Sequence, residues 1–115
     1  MTINYGIVGC GMMGREHLRN INLLQGTMVA AIYEPDANMA QAAAALAPDA
    51  FFVNSVDELL DYQKLDCLVI ASPNHCHIEQ LEAISEKVTL PILVEKPLFT
   101  AKDDLARAQA VGSIY

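Results

Sequence analysis

Short apolar blocks and longer mixed blocks alternate along this chain. Ile3–Val8 and Met28–Tyr33 are nearly unbroken apolar runs, Phe51–Val53 and Cys67–Ala71 are shorter ones, and Ile92–Glu95 is apolar up to its final acid. Such runs, without polar alternation, predict strands covered on both faces. Between them, apolar residues recur every three or four positions. Leu18, Ile21 and Leu24 mark one face of a helix over Arg15–Gln25, stopped by Gly26. Asp36 begins an alanine-rich helix to about Leu46, ended by Pro48, whose small residues suit close packing on a sheet. Ser55 and Glu58 have capping-box spacing and start a short helix to about Tyr62. Ile78, Leu81, Ile84 and Val88 set one face of a helix running from about His75 to Lys87. Thr100 and Asp103 form a second capping box before a helix to about Ala110.

The order is βαβαβαβαβα. It predicts an α/β fold of the Rossmann type: a doubly wound parallel sheet in the order 3-2-1-4-5, with helices on both faces. At 115 residues the chain is expected to form one domain over 1–115. A chain of that length buries roughly 65% of its unfolded surface, enough to support a core.

The chemistry gathers behind the strands. Gly9-Cys10-Gly11-Met12-Met13-Gly14 lies between the first strand and the first helix, and Glu34 ends the second strand. That is the layout of a dinucleotide-binding βαβ unit. Gly9 allows the tight turn, Gly11 lets a pyrophosphate approach the backbone, and Gly14 lets the helix pack close to the strand. The helix N-terminus offers free N–H groups and the positive end of its dipole. Cys10 is a small residue within the turn, and Met12 and Met13 are placed either as a lip over the cofactor or as plain surface. Glu34 can accept hydrogen bonds from an adenosine ribose. It would repel a 2′-phosphate, and residues 35–40 contain no Lys or Arg to hold one. NAD is therefore expected in preference to NADP.

In a parallel sheet the carboxyl ends of the strands share one edge. Ala71-Ser72-Pro73-Asn74 and Glu95-Lys96-Pro97 fall on that edge beside the glycine turn and Glu34. Pro73 and Asn74 are placed to meet the nicotinamide half, although Asn74 also reads as a cap for the helix that follows. Lys96 can donate to a substrate oxygen or pass a proton. Its alternative is a solvated surface charge. Pro97 restricts the local backbone. His75 and His77 are two residues apart at a helix start, which points them to different sides and disfavours a metal site. His17, one turn into the first helix, reads as a packing or surface residue.

The charge balance is acidic, 14 Asp and Glu against 7 Lys and Arg, with no basic patch for nucleic acid. The three cysteines, Cys10, Cys67 and Cys76, lack zinc-like spacing, and an odd number without a secretory signal reads as reduced thiols in the cytoplasm. No apolar run has the length to span a membrane.

Taken together, the glycine turn, Glu34, the Ala71–Asn74 segment with His77 behind it, and Glu95-Lys96-Pro97 resemble the glucose–fructose oxidoreductase / inositol dehydrogenase (Gfo/Idh/MocA) family. The resemblance covers essentially the whole chain. It implies a nucleotide-binding domain for NAD or NADP in an oxidoreductase that transfers a hydride to or from sugars, inositols or related polyols. It also implies that Lys96 stands at the catalytic centre and that Pro73 and Asn74 lie beside the cofactor. Members of the family are much longer and carry a second domain with the substrate pocket. The chain is therefore expected to represent the nucleotide-binding part, inactive by itself, with exposed apolar surface that favours self-association. Two other readings stand beside this one. The first is a non-catalytic module that senses or binds NAD. The second is a methyltransferase-type domain for S-adenosylmethionine, which also places a glycine-rich turn after its first strand.

Overall fold

The computed structural model describes residues 2–62, 65–96 and 104–110. Among these residues, five strands and five helices follow one another: β1 (Ile3–Val8), α1 (Met12–Leu23), β2 (Thr27–Tyr33), α2 (Ala37–Leu46), β3 (Phe51–Val53), α3 (Val56–Leu60), β4 (Cys67–Ile70), α4 (His77–Lys87), β5 (Ile92–Val94) and α5 (Leu105–Ala110). A 3₁₀ turn, Asn74–Cys76, precedes α4. All neighbouring strands pair in parallel, as the apolar runs predict, and the order β3-β2-β1-β4-β5 is the one expected of a Rossmann-type sheet. Among the described residues, no helix is long and apolar enough to cross a membrane.

Strand side chains alternate between faces, so each strand feeds two cores. Ile7, Val69 and Ile32 pack with Leu18 and Ile21 of α1 and Ala43 of α2. Val8, Leu68 and Ile70 pack on the opposite face with Leu59 of α3 and with Leu81 and Ile84 of α4. One irregularity sets the phase of β2. Tyr5 pairs with Val29 but Gly6 pairs with Ala31, which leaves Ala30 as an extra residue. Ala30 and Ala31 consequently both face the second core, and Ile32 returns to the first.

Several helix ends differ from the sequence expectation. α1 begins at Met12, inside the glycine motif, with Gly11 as its N-cap and Arg15 N–H bonded to Gly11 O at 3.0 Å. It ends at Leu23, because Thr27 Oγ1 donates to Ile21 O at 2.8 Å, and Leu24 is left 55% exposed rather than on the buried face. Gly26 then turns the chain at φ +76°, a conformation open to glycine. Asp36 caps α2, its Oδ1 accepting from Asn38 N–H and Met39 N–H. Ser55 Oγ accepts from Glu58 N–H at 3.0 Å, but Glu58 reaches Asn54 N–H rather than that of Ser55. Asn74 makes no side-chain cap. The 3₁₀ turn closes through Cys76 N–H to Pro73 O at 2.9 Å, and α4 starts two residues later than expected, at His77. The second capping box, Thr100 and Asp103, lies outside the described residues, as does Pro97.

Candidate functional site

The carboxyl ends of β1, β2 and β4 open onto a crevice of about 560 Å³. Its walls are the glycine turn and the two methionines of α1, the Glu34–Asp36 corner, and Ala71–Pro73 with Cys76 and Gln80. That size lies within the roughly 300–1,000 Å³ of ordinary small-molecule pockets.

The three motif glycines have three distinct reasons to lack a side chain. Gly9 has φ +95°, and a Cβ there would stand 2.5 Å from the backbone of Ser72. The β1 turn therefore presses directly on the segment leaving β4. Gly14 lies inside α1, and its Cβ would stand 2.1 Å from Gly9 O. The close approach of helix to turn is possible only without it. Gly11 is different: a Cβ there would meet nothing within 4 Å. The space beside Gly11 is open, and it lies at the mouth of α1. Gly11 brings no side chain to cap the helix, and no acid sits in the first turn. The first amides of α1 therefore keep their capacity for an anion.

Glu34 spans the crevice. Its Oε1 accepts from Cys10 N–H at 2.7 Å and its Oε2 from Asp36 N–H at 2.9 Å. A carboxylate has about four acceptor positions, so each oxygen retains one for a ribose hydroxyl. Arg15 Nη1 donates to Cys10 O at 3.1 Å, so the turn is held at both polar groups of residue 10. The Cys10 side chain does not face the crevice: it is fully buried in the α1 core. Burial above all, with the negative charge of Glu34 behind it, raises the thiol from 9.0 to about 12, while Arg15 opposes the shift. Cys10 therefore serves the turn through its backbone N–H and C=O, which hold Glu34 and Arg15, and is not itself part of the crevice lining. Met12 and Met13 are 78% and 50% exposed and form the lip of the crevice.

On the β4 side, Ala71 N–H continues the ladder to Val8 O at 2.7 Å. Ser72 Oγ donates to Gln80 Oε1, and His77 Nε2 donates to Ser72 O at 2.8 Å. His77 is fully buried. It supports the wall of the crevice from beneath and does not open into it. His75 is exposed, so the two histidines part company as their spacing predicts. Pro73 and Asn74 are exposed at the edge. Gln80 and Cys76 are wall residues that the sequence reading missed. They are four apart on one helical face, which was the available signal.

On the β5 side, Glu95 N–H bonds to Ile70 O at 2.9 Å, and Glu95 Oε1 is paired with His17 Nε2 of α1. Lys96 follows, exposed, at the same sheet edge as the glycine turn and Glu34. It does not line the crevice itself.

Comparison with known proteins agrees with this geometry. Residues 3–114 match the GFO_IDH_MocA family, described as an oxidoreductase family with an NAD-binding Rossmann fold. The chain is 35% identical to inositol 2-dehydrogenase 2 of Saccharopolyspora erythraea over 93% of its own length and 32% of that protein's. It is 41% identical to inositol 2-dehydrogenase of Leifsonia xyli over 84% of its own length and 28% of that protein's. Among solved structures, it is similar to myo-inositol dehydrogenase from Lactobacillus casei in complex with NAD(H) and myo-inositol. The TM-score is 0.84 at 28% identity, over 96% of this chain and 32% of that one. The chain thus spans about a third of the length of these relatives. The family match is to an NAD-binding oxidoreductase fold and does not support the methyltransferase alternative. On the match over residues 3–114, the chain belongs to the Gfo/Idh/MocA oxidoreductase family and carries its NAD-binding Rossmann fold.

Proposed function

We propose that the chain binds NAD across the carboxyl edge of its sheet, as the nucleotide-binding part of an oxidoreductase acting on inositol or a related polyol. One observation carries the reading. The open space beside Gly11 lies at the uncapped start of α1, with the Glu34 carboxylate on the same turn. A diphosphate fits the first and a ribose fits the second. The bound nicotinamide would supply the hydride acceptor or donor. Lys96 stands at the same edge, where its amine can hold or pass a proton at the substrate oxygen. Asn74 and Pro73 are assigned to the nicotinamide half. NAD is favoured over NADP, because Glu34 repels a 2′-phosphate and residues 35–40 hold no cation. Titration calorimetry with NADH and NADPH tests this. NADH is expected to bind and NADPH to bind far more weakly, and no heat from NADH at millimolar concentration overturns the reading.

Self-association belongs to the same proposal. A second depression, about 540 Å³, lies at the amino ends of β1, β4 and β5, lined by Tyr5, Cys67, Pro91 and Leu93. Leu93 and Ile3 are 46% and 43% exposed there. Covering that apolar surface by a second copy is expected, and a strictly monomeric sample in sedimentation at high concentration contradicts it. The three free cysteines suit a reducing, cytoplasmic setting.

A further inference from the structure

Residue 95 is held from two sides. Its N–H is bonded to Ile70 O, which extends the β4–β5 ladder by one residue. Its carboxylate is bonded to His17, which is 78 residues earlier and on a different element. An ionised carboxylate only accepts, so the imidazole donates from Nε2. The two side chains are 20% and 23% exposed, so this is a sheltered contact and not an ion pair in free solvent. His17 lies one turn beyond Gly14, on the helix whose first turn faces the crevice. The contact thus ties the end of β5 to the helix that opens beside Gly11.

We infer that His17 is a positioning residue for Lys96: by holding the Glu95 carboxylate, it fixes the backbone that carries the lysine at a set distance from the glycine turn. This rests on the proposal that Lys96 works beside a bound dinucleotide. Among the described residues, no other side-chain hydrogen bond or ion pair joins residues 95 and 96 to α1. Without the His17 contact, residue 95 keeps its ladder bond at the outer strand of the sheet, and the next residue is free to swing. A lysine has four rotatable side-chain bonds, so its placement beside a cofactor depends on a fixed backbone.

The test uses the full chain with His17→Ala, Glu95→Ala and the conservative His17→Gln, whose amide can donate to the same carboxylate. Two quantities are read. The first is the NMR order parameter of the Glu95 and Lys96 amides. The second is the rate at which a water-soluble acylating reagent modifies the Lys96 amine, with and without NADH. In the parent, order parameters near 0.85 are expected, falling below about 0.6 in both alanine variants and recovering in His17→Gln. NADH is expected to slow acylation of Lys96 in the parent and in His17→Gln, and to lose that effect in the alanine variants. Order parameters unchanged in either alanine variant overturn the inference, as does NADH protection that persists when the segment loosens. Should His17→Ala fail to fold, Glu95→Ala decides, since it breaks the same bond from the sheet edge. If the order parameters respond but NADH never protects the parent, the tether stands and the dinucleotide reading falls.

Discussion

Glu34 crosses from the end of β2 to take the backbone N–H of Cys10 at 2.7 Å, so the acid and the glycine turn are one unit. The carboxylate therefore has two tasks: it fixes the turn and it faces the space assigned to a ribose. A charge-assisted hydrogen bond contributes roughly 1.5–3 kcal/mol. Glu34→Ala is expected to weaken NADH binding by about ten- to a hundredfold, the equivalent of that energy. The same change removes the charge that opposes a 2′-phosphate, so NADPH should lose much less. Calorimetric titration of both nucleotides against parent and variant measures this. Equal losses for the two cofactors would show that Glu34 acts through the turn alone.

Gly11 and Gly14 separate ligand binding from folding. A methyl group at Gly11 meets nothing within 4 Å, and its φ of −69° suits alanine. Gly11→Ala is expected to leave stability within about 0.5 kcal/mol of the parent while it obstructs the diphosphate and weakens NADH binding. A methyl group at Gly14 stands 2.1 Å from Gly9 O, a backbone atom that cannot step aside alone. Alanine in a helix ordinarily gains about 0.5–1 kcal/mol over glycine. Here the sign reverses, and a loss of about 1–3 kcal/mol is expected from overpacking. Urea unfolding reads the stabilities. A Gly14→Ala variant more stable than the parent would refute the close approach.

Cys10 gives the protein a stability loss in alkali. Its folded thiol is raised to about 12 from the ordinary 9.0, chiefly by burial. A raised folded value means that the fold prefers the protonated thiol. That contribution is complete below pH 9 and declines as pH climbs from 9 toward 12, where only the unfolded chain releases its proton readily. Unfolding free energy should drop between pH 8 and pH 11, and the drop should be smaller in Cys10→Ala. Parallel slopes in the two proteins would contradict the assignment. In the folded parent at pH 8, alkylation should reach Cys67 and Cys76 before Cys10, the one fully buried thiol among the three.

The elements that local rules govern were legible in the sequence. Asp36 and Ser55 cap the helices they precede, because a short acceptor at that position satisfies free amides wherever the chain goes next. The parallel pairing followed from apolar runs separated by helices, and the strand order from the dinucleotide-binding layout of the first βαβ unit. The β2 bulge was not legible. Met28–Tyr33 is apolar at every position, so a phase slip at Ala30 leaves no mark in the pattern. The start of α1 at Met12, three residues before the expected Arg15, was not legible, because Gly11 at its N-cap has no side-chain acceptor to mark it. Of the two readings of Asn74, beside the nicotinamide or as a helix cap, the cap is not filled, since the 3₁₀ turn satisfies its own backbone. Within the site, Gly9, Gly11, Gly14 and Glu34 were found from spacing. Gln80 and the His17–Glu95 pair were missed, the pair because 78 residues separate its members.

His77, which follows the Ala71–Asn74 segment, acts on the crevice from behind its wall. The ring is fully enclosed, and Nε2 donates to Ser72 O at 2.8 Å. Ser72 is the residue on which Gly9 presses, and its hydroxyl is bonded to Gln80. Removing the imidazole empties a buried site and takes a donor from the Ser72 carbonyl. Large-to-small changes of this kind cost about 2–5 kcal/mol, and an unsatisfied carbonyl adds roughly 1–3 kcal/mol when it stays dry. His77→Ala should therefore be among the most destabilising single changes in the crevice wall, and any weakening of NADH binding should follow from loosening of Ala71–Pro73. Urea unfolding of His77→Ala and Asn74→Ala makes the comparison. Asn74 is exposed and uncapping, so its loss should fall within about 0.5 kcal/mol. Equal stabilities for the two variants would remove His77 from the support of the wall.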